Sequence, residues 1–121
     1  MKKIILMLSV GMFCFSCNSG SSGSTSSAGA ENADADKGLA LVGKSDCFGC
    51  HKVKEVSVGP AYNLVAQKYE ATEANINTLA DKIQKGGSGN WGTVPMAGHP
   101  NISKDDAVLM VKYVLSLKNE K

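Results

Sequence analysis

The chain has 121 residues, and its 13 lysine and arginine side chains against 11 acidic ones give a formal net charge of +2. That length allows one domain of ordinary size at most. So small a net charge argues against a nucleic-acid-binding protein, although a local lysine patch could still attract acidic partners.

Residues 1–17 form the first predicted element, an export signal. Lys2 and Lys3 are followed by an apolar run from Ile4 to about Phe15, which is the order of regions in a secretory signal peptide. The run is shorter than the roughly 20 apolar residues that span a bilayer. A buried N-terminal helix is the alternative, and the basic start of the segment does not favour it.

The end of this signal carries a cysteine suited to lipidation. Ser16 and Cys17, followed by Asn18 and a polar tract, resemble the cleavage box of bacterial lipoproteins, in which the cysteine is lipidated and becomes the new N-terminus. Cys14 stands where that box usually has leucine. The resemblance implies that Cys17 anchors the chain to a membrane. Several acyl chains hold a protein there firmly, whereas a single chain binds only marginally.

Residues 18–35 are predicted to be a flexible tether. Six of residues 18–30 are serine and three are glycine, and a segment of this composition buries little and behaves as a random coil. Residues 36–121 are the predicted folded domain. A domain of this size commonly needs a disulfide, a metal or a cofactor to stabilise it.

Apolar residues at helical spacing dominate this domain and predict an all-α fold of about four helices. A short first helix is predicted at Lys37–Gly43. The second begins near Pro60, which suits the first turn of a helix. The third begins at Thr72 or Glu73 and ends at Gly86, because glycine commonly terminates helices.

Ser103 predicts the start of the last helix, because Asp106 follows three residues later as in a capping box. The apolar positions behind it predict a buried stripe that consists of Ala107, Met110, Val111, Val114, Leu115 and Leu117. The segment before it, GGSGNWGTVPMAGHPNI at residues 86–102, has too many glycines and prolines for regular structure. A loop that long in so small a domain is usually functional.

Cys47 and Cys50 lie in the segment KSDCFGCHKV and admit several chemistries. A redox dithiol is expected near the strands of a βαβ unit, and the pattern predicts no such strands. A zinc site needs four ligands, but only His51 and His99 are available beside the two thiols. A disulfide between the two cysteines would close a very small ring and stabilise the fold little.

Cys-x-x-Cys-His favours a different chemistry, a covalently attached haem. The two thiols of such a motif add to the vinyl groups of the haem, and the adjacent histidine coordinates the iron. Cys47, Cys50 and His51 supply these three groups. Export agrees with this interpretation, since haem is attached to bacterial c-type cytochromes outside the inner membrane.

The sixth iron ligand decides the chemistry of such a haem, because a strong ligand restricts the iron to electron transfer and an open position admits small molecules. Met96 follows Pro95 in the long loop, where no helix restrains its side chain, and it is the predicted ligand. Met110 belongs to the apolar stripe and is predicted to be core. Two alternatives are that Met96 only fills a gap in the core, or that His99 replaces it to give a bis-histidine haem. Otherwise His99 is expected to face solvent.

Four blocks, CFGCH, VGPAY, GGSGNWGTVPM and MVKYVLSLK, resemble the small class I monohaem bacterial cytochromes c over essentially all of residues 37–121. The resemblance implies a cytochrome c fold, with about four short helices wrapped around one covalently bound haem c and its iron. It also implies that Pro60 offers its carbonyl oxygen to His51, that Met96 is the sixth ligand, and that Trp91 hydrogen-bonds a haem propionate. Trp91 could instead be a plain core aromatic.

Two further features follow from the same resemblance. Gly38 and Val42, together with Met110 and Tyr113, look like the packed crossing of the first and last helices. The segment MAGHPN replaces the prolines that usually follow the ligand methionine, so the hydrogen bonding around Met96 is expected to differ and to tune the reduction potential.

The expected function is single-electron transfer, and not catalysis, by a protein anchored in a membrane and facing the periplasm. Its expected partners are redox proteins, such as a terminal oxidase, a quinol-oxidising complex or a periplasmic reductase. Lys52 and Lys54 are candidates to steer acidic partners. The alternatives are a haem-based sensor, in which a small ligand displaces Met96, and a redox subunit of a larger enzyme complex.

Overall fold

The computed structural model describes residues 27–121. The predicted signal peptide, the predicted lipidation of Cys17 and the first part of the predicted tether lie outside this range. Within it lie four α-helices: α1 (Ser27–Lys44), α2 (Tyr62–Lys68), α3 (Glu73–Lys85) and α4 (Lys104–Ser116). Short 3-10 helices occupy Asp46–Gly49 and Leu117–Asn119, and two strands form a hairpin, β1 (Gly87–Gly89) and β2 (Gly92–Met96). None of the helices in residues 27–121 combines the length and the apolarity that a bilayer crossing needs.

Helix α1 is longer than the sequence predicts. A flexible tether is expected up to residue 35, whereas the structure places residues 27–35 in α1. This part of the helix is rich in alanine, which is the strongest helix former. It also contacts the rest of the fold, because Asp34 forms an ion pair with Lys112 of α4. Helix α1 therefore begins before residue 36, where the sequence predicts the start of the folded domain.

The beginnings of α3 and α4 are those that the sequence predicts. The Thr72 hydroxyl accepts a hydrogen bond from the backbone N–H of Asn75 at 3.3 Å. In the same way, the Ser103 hydroxyl accepts one from Asp106 at 3.1 Å. Each side chain thus satisfies one of the N–H groups that a helix leaves free at its start. Helix α2 begins just after Pro60, with Ala61 as its N-cap.

The hairpin corrects the prediction that residues 86–102 have no regular structure. Strands β1 and β2 pair antiparallel, with Gly87 opposite Met96 and Gly89 opposite Gly92, and the ladder is irregular between the two pairs. Three of its glycines have positive φ, 108° at Gly87, 111° at Gly89 and 115° at Gly92. Only glycine adopts such angles readily, so these residues permit the tight hairpin. It ends at Met96, whose position in the fold it therefore helps to set.

Helix α4 is the centre of the core and contacts α1, α2 and α3. Met110, predicted to be core, is 1% exposed. The predicted stripe on α4 is buried except for Leu117, which is partly buried and begins the 3-10 helix after α4. The predicted crossing of α1 and α4 is present, and a Cβ at Gly38 would collide with the backbone of Leu109 and lie 2.8 Å from the Cβ of Tyr113. A residue without a side chain is therefore required there.

Candidate functional site

A cavity of about 460 Å³ opens among the loop that follows α1, the hairpin and the core face of α4. This volume is typical of a site for a small molecule or cofactor. Most of the lining is apolar and comes from the core, including Val42, Leu64, Val65, Leu79, Ile83, Met110, Val111 and Val114. The cavity brings together all six residues that the sequence predicts to bind haem: Cys47, Cys50, His51, Pro60, Trp91 and Met96.

Both thiols and the imidazole lie on one tight turn, which we call the cysteine turn (residues 46–51). It begins with the 3-10 helix Asp46–Gly49, and the N–H groups of Cys50 and His51 both donate to the carbonyl oxygen of Cys47, at 3.2 and 2.9 Å. Cys47 and Cys50 are free thiols, not a disulfide. Burial raises the pKa of the Cys47 thiol.

The imidazole of His51 is held by three neighbours. Its Nδ1 lies 2.8 Å from the carbonyl oxygen of Pro60. The ring stacks on Tyr62 with 5.2 Å between ring centroids and 16° between the ring planes. On another side it packs against Gly59, where an added Cβ would lie 2.5 Å from the ring carbon Cε1. Because a carbonyl only accepts hydrogen bonds, Nδ1 carries the proton and Nε2 keeps its lone pair. This is the state in which histidine ligates a metal.

The segment that begins at the last residue of β2, which we call the Met96 segment (residues 96–102), packs against the C-terminal end of α3. The backbone N–H of His99 donates to the carbonyl oxygen of Ile83 at 2.9 Å. Gly98 approaches α3 so closely that an added Cβ would lie 2.9 Å from the carbonyl oxygen of Gln84. These contacts fix the backbone that carries the half-buried Met96 along the cavity wall.

His99 does not lie where the sequence predicts. Its side chain is 23% exposed instead of facing solvent, and its Nε2 lies 2.9 Å from the carboxylate oxygen Oδ1 of Asp46. Its Nδ1 is buried and has no hydrogen-bond partner in the described part of the chain. The hydrogen bond from His99 also lowers the pKa of Asp46. Both residues line the cavity.

Trp91 stands at the tip of the hairpin and lines the cavity while remaining partly exposed. The ammonium group of Lys68 lies 4.4 Å from the centre of its ring, within the range of a cation–π contact. The same ammonium donates a hydrogen bond to the carbonyl oxygen of Asn90 at 2.9 Å. Lys68 therefore attaches the hairpin tip to the end of α2.

Lys82 is a site residue that the sequence interpretation misses. It is the one lysine among the cavity-lining residues in the described range, and its ammonium lies beside Gly87, where an added Cβ would be 3.2 Å away. Its position on α3 provides the signal, because it follows Leu79 by three residues and thus shares the inward face of the helix. By contrast, Lys52 and Lys54 lie outside the cavity. Lys52 donates to the carbonyl oxygen of Phe48 at 2.8 Å.

The donor set suits a haem better than a bare metal ion. In residues 27–121, no three histidine, cysteine, aspartate or glutamate side chains come together as a metal-binding group, so a zinc site has no support there. A haem brings four nitrogen ligands of its own and requires only axial donors from the protein. His51 and Met96 on the wall of one apolar cavity, with two free thiols beside them, meet that requirement.

Comparison with known proteins agrees with this geometry. The family model for cytochrome c matches residues 35–118. Cytochrome c-552 of Hydrogenobacter thermophilus is 42% identical over 78 residues, 64% of this chain and 79% of that protein. Cytochrome c-552 of Nitrosomonas europaea is 41% identical over 91 residues, 75% of this chain and 84% of that protein.

Solved structures give the same result. The crystal structure of wild-type Nitrosomonas europaea cytochrome c552 matches with a TM-score of 0.61 at 38% identity, covering 65% of this chain and 98% of that one. The class 1 cytochrome MtoD from Sideroxydans lithotrophicus ES-1 matches with a TM-score of 0.59 over 71% of this chain and 98% of that one. Its identity is 24%, so this second likeness concerns the fold alone.

Proposed function

This chain belongs to the cytochrome c family, and we propose that it is a single-electron carrier whose haem iron is ligated by His51 and Met96. The predicted cytochrome c fold and the predicted class, a small class I monohaem cytochrome, are confirmed. Like its family, the chain binds one covalently attached haem c with its iron. The haem supplies a one-electron couple between ferric and ferrous iron.

The arrangement of His51 carries this proposal. The 2.8 Å hydrogen bond from Nδ1 to Pro60 orients the ring and makes the free Nε2 a better donor. Cys47 and Cys50 lie on the same turn and line the same cavity, which supports both as the residues that would form the thioethers. One short segment would thus attach the cofactor, orient it and supply an axial ligand.

Three observations support Met96 as the second residue that would ligate the iron. It lines the cavity, its backbone belongs to a strand, and the residues after it pack tightly against α3. His99 is the weaker candidate, because its Nε2 already bonds to Asp46. Methionine ligation raises the reduction potential, and two protein ligands leave the iron no open position for a substrate. An electron carrier, and not an enzyme, follows from such a site.

Lys82 and Trp91 are the residues that we propose for the propionates. An ammonium and an indole N–H both donate hydrogen bonds, and both residues line the cavity, which is otherwise mainly apolar. The sequence predicts this role for Trp91 alone. Lys82 would add a positive charge that pairs with a carboxylate.

We propose that redox partners approach beside Cys50. This exposed cysteine lines the cavity together with Val56, which is 68% exposed, and Val58, which is 59% exposed. A brief encounter over a small apolar area is typical of redox complexes. The proposed partners are a terminal oxidase, a quinol-oxidising complex or a periplasmic reductase. Lys52 would contribute more to steering than Lys54, whose charge is paired with Glu120 at 3.3 Å.

Export and membrane anchoring through Cys17 are proposals that rest on the sequence of residues 1–35. Because α1 begins at Ser27, residues 18–26 would form the tether, with an r.m.s. reach of about 15–18 Å if they behave as a coil. Cys17→Ser should release the protein from membranes, while Cys14→Ser, the control, should leave it bound. A Cys17→Ser protein that stays in the membrane fraction would disprove the anchor.

Optical spectra of the holoprotein test the proposed ligands. The ferric protein should show the weak far-red band of a methionine-ligated haem, and Met96→Leu should abolish it. Met110→Leu changes a buried methionine of the core and serves as the control that keeps the band. A wild-type protein without the band, or one whose ferrous form readily takes up carbon monoxide, would favour a small-ligand sensor instead.

A further inference from the structure

We propose that the hydrogen bond between His99 and Asp46 acts as a latch, which ties the Met96 segment to the cysteine turn and so keeps Met96 on the iron. The inference rests on the proposed function, because Met96 ligation is part of that function. In this role His99 is a positioning residue, since it acts through Met96 and does not itself touch the iron.

The latch joins the two parts of the chain that carry the proposed iron ligands. Asp46 is the first residue of the cysteine turn and immediately precedes Cys47. His99 follows Met96 by three residues, and its Nε2 reaches Asp46 across 53 positions of sequence at 2.9 Å. Because both residues line the cavity, the bond connects one wall of the haem site to the other.

Within residues 27–121, no other hydrogen bond or ion pair joins the Met96 segment to the cysteine turn. The other polar contacts between this segment and the rest of the fold lead to β1, where Met96 pairs with Gly87, and to α3. The N–H of His99 donates to Ile83, and the side chain of Gln84 donates to the carbonyl oxygen of Ile102. These contacts hold the segment to one wall of the cavity only. Breaking the latch should therefore let the two walls separate while both stay folded.

The ring of His99 is well placed to act as a rigid link. Its backbone N–H donates to Ile83 at 2.9 Å, and its carbonyl oxygen accepts from Ile102 at 3.1 Å. The backbone on which the ring stands is thus fixed from both sides. Asp46 is the ring's one hydrogen-bond partner in the described residues, since Nδ1 is buried without one.

Breaking the latch should make Met96 only modestly easier to displace from the iron, because the carboxylate of Asp46 is 83% exposed and water competes with His99 for it. Exposed ion pairs change an equilibrium by about two- to fivefold. The equilibrium in which an added ligand replaces Met96 on the iron is sensitive enough to detect a change of that size. Imidazole is a suitable probe, because as a nitrogen ligand it can bind the ferric iron only when Met96 leaves.

The experiment compares the ferric holoproteins of wild type, Asp46→Ala, His99→Ala and the double variant. Asp36→Ala is the matched control, since it removes an exposed carboxylate of α1 that has no salt bridge in the described residues. Imidazole affinity should rise about two- to fivefold in each single variant and no further in the double variant. The control should bind imidazole as the wild type does.

Hydrogen exchange at the backbone N–H of His99 provides a second readout that does not depend on the iron ligand. The exchange rate should rise by a similar factor in Asp46→Ala, in which His99 itself is unchanged. The latch is disproved if Asp46→Ala behaves like Asp36→Ala in both measurements, or if the two single effects add in the double variant.

Failure of the proposed function would look different. In that case the wild-type ferric spectrum would lack the methionine band, whatever the variants do. The hydrogen-exchange rate of the His99 N–H would then be the one measurement that shows whether the bond between His99 and Asp46 joins the Met96 segment to the cysteine turn. If His99→Ala, and not Met96→Leu, abolished the native ligation, His99 would be the iron ligand and the latch would be wrong.

Discussion

The carbonyl oxygen of Pro60 accepts a hydrogen bond from His51 Nδ1 at 2.8 Å, and the residue before that proline packs against the same ring. A Cβ at Gly59 would lie 2.5 Å from the Cε1 atom of His51. We therefore expect Gly59→Ala to push the ring away from its carbonyl partner. Overpacking of this kind costs about 1–3 kcal/mol. Without the hydrogen bond the imidazole should be a weaker iron donor, so we expect a changed haem spectrum, a higher reduction potential and a lower yield of holoprotein.

Gly49 provides the control, since it lies in the cysteine turn and an added Cβ there meets nothing within 4 Å. Gly49→Ala should change the melting temperature and the potential little. Thermal melts and redox titrations of both holoproteins make the comparison. Equal effects of the two substitutions would show that contact with the His51 ring is not the cause.

A second glycine pair tests the crossing of α1 and α4. Gly38 is buried against Leu109 and Tyr113, and an added Cβ would overlap the backbone of α4. Gly38→Ala should therefore destabilise the holoprotein by about 1–3 kcal/mol. Gly43 lies in the same helix, and an added Cβ there would meet nothing within 4 Å. Gly43→Ala should therefore stabilise the protein by up to about 1 kcal/mol, because alanine is the better helix former. Denaturant titrations should give these opposite signs, and a shared sign would contradict the crossing.

Local sequence signals predicted much of this fold. The caps at Thr72 and Ser103 need only a hydroxyl and an N–H three residues apart, so the sequence alone reveals them. The apolar residues on the buried face of α4 recur at helical spacing, so the sequence alone reveals them as well. The haem attachment turn is equally local, since Cys47, Cys50 and His51 are almost adjacent.

Features that depend on distant contacts could not be predicted in this way. The extension of α1 includes Asp34, whose partner Lys112 lies 78 positions away, while the nearby serines and glycines favour coil. The hairpin is built on glycines, which have low strand propensity, so tertiary contacts determine it. The partnership of His99 and Asp46 likewise spans 53 positions. No local pattern marks any of these pairs.

The charge of Lys82 should raise the reduction potential of the haem. A cation at the cavity wall disfavours the oxidised state, which carries one more positive charge than the reduced state. Lys82→Met should therefore lower the potential, by roughly 20–60 mV for one charge at a partly solvated site. Lys85→Met is the matched control, because Lys85 lies one turn away, outside the cavity, and pairs with Asp81. Redox titration of both variants should show the larger shift in Lys82→Met, and equal shifts would contradict the assignment.

Asp81 predicts a specific pH dependence of stability. Hydrogen bonds from Lys104 at the start of α4 and from Lys85 lower its pKa from 3.8 to about 2. A carboxylate whose pKa is lower in the folded state stabilises the fold above its unfolded pKa, and this contribution is lost as the pH falls through the folded value. Asp81→Asn should therefore lower the melting temperature by roughly 2–5 °C at pH 5–7. The difference from wild type should shrink between pH 4 and pH 2, whereas Asp36→Asn should melt close to wild type throughout. A difference that persists unchanged at pH 2 would mean that the asparagine disturbs packing, and that loss of the ion pair between α3 and α4 is not the cause.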